Sequence, residues 1–441
     1  MRDMTRGSIR GHLLSHALPM ILGNYMQLTY NAADSVIVGK NLGENALAAV
    51  STVNPVMTMM VLFSSGIGIG ASVLMSRFFG AGEKERLKRE FATTVLFSAL
   101  FSLLLTLLGL LFIGPILTAL SVPDASAAMA GTYFSLILVG FPFSFLYNIL
   151  AAAIRSTGDS KTPMALLAVS CLLNILLDLL FVRGMGMGVA GAALATALCQ
   201  IVSAMMCFFR IQSKMPALAL SRKDLRMDGT LLRETLQSGS ITALQQVVQP
   251  LGKLLIQGVI NGGGVTVMGA FNAVCRVDDF ACIPAQSIGS SVMTCTAQNR
   301  GAGEAERMRG TLRQGLLVGL CYFPVICGLT LLLRGPVIGA LCPDNSTAMV
   351  RMGVEYLGVK AWLFLFPCVN NVLQGYMRGL GRMGVTLAAT ALQISLRTLG
   401  VFLLVPKIGI VGEAWACMAG WACMLLFEGG YLLRLRKKGR A

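Results

Sequence analysis

Twelve long apolar runs set the limits on what this chain can become. They lie at about 14–38, 46–76, 91–119, 128–154, 162–182, 187–209, 238–261, 265–297, 311–333, 349–376, 384–405 and 409–433. Each reaches the roughly 20 residues an α-helix needs to cross a bilayer's hydrocarbon core. Peptide groups in lipid must find their partners within the segment, so runs of this length are helices. The alternation expected of barrel strands is absent from them. Only 13% of the 441 residues are charged and 55% are hydrophobic, whereas soluble domains carry about 25% charge. A secreted disulfide scaffold, a disordered tail protein and a soluble enzyme with one anchor are excluded. Twelve cysteines without a CxxC, and only two histidines, His12 and His16, give no zinc pattern; the cysteines read as small packing residues.

The net charge of +16 invites a nucleic-acid reading, but the basic residues fall in short blocks between the apolar runs. With the N-terminus inside, 26 Lys and Arg lie in the inner segments (for example Lys84, Arg86, Lys88, Arg89). Five lie outside: Lys40, Arg183, Arg334, Arg351 and Lys407. This bias predicts a multi-pass protein of the cell membrane with both termini cytoplasmic. Arg2, Arg6 and Arg10 run into a long helix without an A-x-A-like end, so no cleaved signal peptide is expected.

The chain repeats itself. Gly80-Ala-Gly-Glu-Lys-Glu-Arg86 returns as Gly301-Ala-Gly-Glu-Ala-Glu-Arg307, 221 residues later. Gly114-Pro115 returns as Gly335-Pro336 and Gly188-Val-Ala-Gly191 as Gly409-Ile-Val-Gly412, at the same offset. Asn148-x-Leu150…Arg155-x-x-Gly158 returns as Asn371-x-Leu373…Arg378-x-x-Gly381, at 223. The expected fold is therefore all-α and integral to the membrane: twelve transmembrane helices as two six-helix bundles. Six helices per half start both halves on the same side, which calls for a pseudo-two-fold axis along the membrane normal. The domain boundaries read as an N-terminal lobe at 1–209, a cytoplasmic linker at 210–237 and a C-terminal lobe at 238–441.

No P-loop and no Ser/His/Asp constellation is present, so no enzyme is expected. The informative residues are ionisable groups inside apolar runs, where a charge costs about 2.5–3.5 kcal/mol at the helix centre and usually faces a cavity. Gln27, Tyr30, Asn31 and Asp34 are spaced i, i+3, i+4, i+7 and share one helix face. Asn174 and Asp178 are spaced i, i+4 on the fifth run. If the two faces meet, Asp34 and Asp178 form one site for a proton, or for Na⁺ held by oxygen ligands. The plainer alternatives are that Asp34 snorkels to the outer interface and that Asp178 caps its helix near Arg183. Arg276, Asp278 and Asp279 on the eighth run, with Lys253 and Lys360, read as a charged cavity wall or a self-neutralised network, with Arg276 and Asp279 spaced to pair. Pro19, fifteen residues before Asp34, permits a bend.

These residues resemble the multidrug and toxic compound extrusion (MATE) family, in its DNA-damage-inducible-F-like prokaryotic branch. The resemblance rests on Asp34-Ser-Val-Ile-Val-Gly39 with Gly43, on Pro284-Ala-Gln286-Ser-Ile-Gly289, on Ala297-Gln298-Asn299-Arg-Gly301-Ala-Gly303, and on the paired Asn…Arg-x-x-Gly segments. It implies cation-coupled efflux by alternating access and a cation site at Asp34, Asn174, Asp178 and Thr196. It also implies cavity positions at Gln27, Tyr30 and Asn148, and a first helix that bends at Pro19. The family's sodium-linked branch carries a Glu where this chain has Gln249, so coupling is expected in the first half. Gln249, Asp278 and Asp279 complete the expected cavity. H⁺ or Na⁺ is the expected coupling ion, with no other cofactor. The expected partners are small-molecule drugs or organic cations and the lipid bilayer, not nucleic acid, and the chain is expected to act as a monomer. The alternative reading is a lipid-linked saccharide flippase of the same superfamily, which the basic residues Lys253, Arg276 and Lys360 favour.

Overall fold

Where the chain can break a helix, glycine and proline decide. In the computed structural model, which describes residues 2–342 and 347–437, the first long helix carries its one recorded non-helical residue at Gly43 (φ 79°, ψ −178°). This divides it into α1 (9–42) and α2 (44–80). Gly264, which precedes the eighth run, has φ 88° and ψ 172°. A side chain strongly disfavours this backbone region, and nothing lies within 4 Å of where a Cβ would stand at either position. Glycine is therefore required by conformation rather than by space. Gly82 and Gly303, Gly188 and Gly409, and Gly158 and Gly381 also share positive φ. The repeat read from the sequence is thus written in the backbone.

The remaining helices are α3 (Lys84–Leu111, followed by the short Ile113–Ala119), α4 (Asp124–Ser156), α5 (Lys161–Asp178) and α6 (Gly188–Lys214), then α7 (Gly229–Asn261), α8 (Val265–Gly301) and α9 (Ala305–Leu341). α10 is a bent pair, Thr347–Leu363 and Leu365–Gly379, at 42°. α11 (Met383–Ile408) and α12 (Val411–Lys437) close the order. No strand occurs among the described residues. Aspartates start two of the helices. Asp159 accepts from Thr162 N–H at 3.0 Å and Thr162 Oγ1 at 2.7 Å, and Asp228 accepts from Thr230 N–H at 2.9 Å, satisfying amides that have no partner in a first turn.

Among the described residues, α2, α3, α4, α5, α6, α9, α11 and α12 are long and apolar enough to cross a membrane, and the bent α10 makes a ninth. α1, α7 and α8 fall outside that set. They carry Gln27, Asn31 and Asp34, Gln245, Gln249 and Lys253, and Arg276, Asp278 and Asp279. Three of the twelve runs are thus long but not uniformly apolar. Leucines 100, 103, 104, 107, 108 and 111 of α3 are exposed, as lipid-facing side chains of a spanning helix must be.

Two compact units form, and their boundaries differ from those expected at 209 and 238. One comprises Met1–Asp3 with Leu22–Ala243, the other Met4–Ile21 with Leu244–Ala441. Small residues are the reason in the first unit. Gly66 and Gly70 of α2 face Ala243 and Gly239 of α7, and a Cβ on Gly70 would sit 2.5 Å from Gly239 Cα. This small-xxx-small contact brings two backbones together without bulky side chains between them. Leu231 joins Phe78, Phe91 and Ile154 in one core, and Thr235 donates to buried Glu90 at 2.5 Å. In the second unit the N-terminal segment is held in the corresponding way. His16 pairs with Ser291 at 3.0 Å, Met4 N–H donates to Gln298 Oε1 at 3.0 Å, and Arg307 donates to the Met4 and Gly7 carbonyls at 3.1 Å each. Ser287 and Ser291 of α8 stand 221 residues after Gly66 and Gly70. The first helix of each sequence half therefore begins in the unit built mostly from the other half.

Candidate functional site

In the first unit, α1, α4, α5 and α6 bring polar groups into one apolar surrounding. Asp178 is fully buried and Asn174 is 2% exposed. Asp178 ends α5 where the helix widens into a π-helical turn, Leu179–Gly184, a distortion frequent at functional sites. The capping alternative fails, because neither Asp178 oxygen has a hydrogen-bond partner among the described residues. Asp34 Oδ1 and both polar atoms of the Asn174 amide are buried and unpartnered too. The Asp34 and Asp178 carboxyls face each other closely enough to interact directly. Tyr30 lies within range of both and of Thr196, and Tyr133 lies within range of both acids. Asn174 stands beside Cys199.

Of the sequence-predicted residues, Tyr30, Asp34, Asp178 and Thr196 thus come together, with Asn174 one turn from Asp178. Gln27 and Asn31 are exposed. Asn148 donates instead to Ser64 Oγ at 3.2 Å and to the Ser144 carbonyl at 3.1 Å. Pro19 is buried in the segment assigned to the second unit, two residues before the boundary at Ile21, and α1 runs through it without recorded non-helical φ/ψ. Thr196 also lines a cavity of about 70 Å³ with Met57, Met60, Phe141 and Gln200. Apolar walls with a few polar groups are the usual make-up of a small-molecule pocket.

The second unit answers differently. Glu413 of α12 is fully buried and accepts from Tyr356 Oη, Lys360 Nζ at 3.2 Å, Arg397 Nε at 2.9 Å and Arg397 Nη2 at 2.5 Å. Lys360 also pairs with Asp278 at 3.3 Å. Two cations and two carboxylates neutralise one another. The expected Arg276–Asp279 pair does not form. Asp279 pairs with Lys253 at 3.2 Å, because α7 brings an ammonium to that carboxylate. Tyr356 follows Tyr133 by 223 residues and Cys417 follows Thr196 by 221. The repeat therefore places acids without a cation at one site and a balanced network at its counterpart. Sequence reading missed Glu413, Arg397 and Tyr356. Their signal was a glutamate one turn into the last apolar run and an arginine within the eleventh. Gln249 lines a separate cavity of about 30 Å³ with Asn370, Gln374, Thr390, Gln393 and Trp421, beside Gln245, which accepts from Arg378 at 3.0 Å.

Known proteins share this architecture. "Probable multidrug resistance protein YoeA" of Bacillus subtilis is 28% identical over 82% of this chain and 80% of its own length. "Probable multidrug resistance protein NorM" of Thermotoga maritima is 25% identical over 93% and 89%. A solved multidrug resistance MATE family transporter of the MOP superfamily, in an outward-facing conformation, superposes with a TM-score of 0.90 at 20% identity over 99% of this chain and 98% of that one. At that identity the match speaks for the fold alone. The MatE family model matches twice, over residues 19–180 and 242–403, once in each half, and the chain belongs to the MatE family of transporters.

Proposed function

We propose that the chain is a secondary-active antiporter that exports amphipathic, mostly cationic small molecules in exchange for H⁺ or Na⁺ by alternating access. It works in the cell membrane with both termini in the cytoplasm. The observation that carries this reading is the Asp34–Asp178 pair, two facing carboxylates with three oxygens lacking hydrogen-bond partners and no cation in their group among the described residues. Burying charge without a partner is costly, and two like charges in one pocket cannot both persist cheaply. A bound proton or monovalent cation relieves that cost, with Asn174 and Thr196 as neutral ligands. A cationic drug relieves it too, so drug and ion compete. The names of the relatives, multidrug resistance proteins of two bacteria, support the substrate class.

Only an ion that binds two conformations unequally can shift them. Pro19, close to the place where α1 passes from one unit to the other, is where we propose that α1 bends on ion binding. The test is ethidium efflux from proteoliposomes under a separately imposed proton or sodium gradient. Wild-type protein should transport under one of them, and Asp34→Asn under neither. Wild-type-rate transport by Asp34→Asn under that gradient refutes the coupling site.

A further inference from the structure

The second unit also carries charge that nothing inside it neutralises. Asn272, Arg276 and Asp279 are exposed on one face of α8 at i, i+4, i+7. Lys253 of α7, paired with Asp279, is exposed beside them, and Gln249 continues its stripe one turn earlier. Leu251, Leu254 and Leu255 are exposed elsewhere on α7, which provides that helix with an apolar face for lipid. A stripe holding two cations and a carboxylate belongs on a water-filled cavity wall instead. Arg276 lies eleven residues into α8, about 16 Å along the axis from that end, so it is no interfacial anchor. Lys360, Asp278, Arg397 and Glu413 balance one another in the buried network. Lys253 and Asp279 balance on the wall. Arg276 remains, exposed and with no hydrogen bond or ion pair among the described residues.

A guanidinium held in a cavity wall, with a second cation nearby and no carboxylate of its own, is a fork that matches two oxygens of one anion. We propose that Arg276, flanked by Lys253, forms a subsite for an oxyanion, a carboxylate or phosphate, on the molecules this protein binds. The proposal deepens the efflux reading and rests on it: the substrate class extends from cations to zwitterionic and acidic amphiphiles. The first unit's carboxylate pair and the second unit's free guanidinium then recognise opposite charges.

The probes are norfloxacin, which carries a carboxylate, and its ethyl ester, which lacks that charge, bound to purified protein in phosphatidylcholine nanodiscs. A charge-assisted contact predicts that wild type prefers the acid by about tenfold or more. Arg276→Gln should bring the two affinities together, and Arg276→Lys should keep part of the preference. A wild type without preference, or Arg276→Gln that retains it, overturns the proposal. Adding phosphatidylglycerol identifies the source. A preference erased by that lipid in wild type means that the headgroup phosphate occupies the subsite, and a preference that survives means that the substrate carboxylate does. The efflux reading fails separately, through gradient-driven ethidium transport, because the acid–ester comparison needs no gradient.

Discussion

Asp34 and Asp178 were legible because a charged residue inside an apolar run is conspicuous and because helical spacing aligns its neighbours. Glu413 and Arg397 stand out equally in the chain, but their meaning depends on which helices pack together, and spacing along one helix does not report that. The same limit misassigned Arg276: i, i+3 spacing made Asp279 its natural partner, whereas Asp279 pairs with Lys253 of a different helix. The two kinds of ion pair should respond very differently to substitution. Glu413→Gln withdraws the acceptor shared by Tyr356, Lys360 and Arg397 and leaves buried cations short of a carboxylate, at a cost of about 3–5 kcal/mol. Asp279→Asn loosens an exposed pair and should cost at most about 1 kcal/mol. Thermal unfolding of the purified variants in detergent should show a large fall in midpoint for the first and little change for the second. Equal midpoints would mean that the buried network does not stabilise the unit.

The twelve helices were legible from their apolar runs, to within a few residues at most ends, because lipid leaves an uninterrupted peptide chain no alternative. Where each helix packs was not. Gly66, Gly70, Gly239 and Ala243 stood in the sequence as ordinary small residues, and only their meeting makes α7 begin in the first unit. Gly70→Leu puts a branched side chain where a single Cβ already lies 2.5 Å from Gly239 Cα. It should destabilise more than Gly68→Ala, whose Cβ meets its neighbours at an ordinary 3.6 Å. Gly264→Ala should destabilise by about 1–3 kcal/mol through backbone strain alone, although the space around it is open. Melting temperatures of the three variants rank these effects. Equal stability of Gly70→Leu and Gly68→Ala would deny the close helix contact.

The sequence repeat foretold a two-part molecule, and the paired positive-φ glycines carry it into the backbone. It did not foretell that the first helix of each half begins in the opposite unit, because a covalent boundary at the linker looks like a structural one until packing is known. Nor does a repeat fix chemistry. The places of Tyr133 and Thr196 are taken by Tyr356 and Cys417, and the pocket changes from unpaired acids to a closed ionic network. Orientation follows from the basic bias. On a cysteine-free background, a cysteine at Asn261 should react with an impermeant thiol reagent from outside intact cells and one at Arg226 should not; the reverse pattern would invert the topology. The central claim is that drug and ion compete for the Asp34–Asp178 pair, and ion release on drug binding tests it most directly. Ethidium added to purified wild-type protein, in weakly buffered solution or with bound sodium tracer, should displace about one proton or one Na⁺ per bound drug. Asp34→Asn and Asp178→Asn should displace none, and Leu399→Ala in the other half should behave as wild type. Ethidium binding that releases no ion from wild type, or releases the same amount from Asp34→Asn, would contradict the account.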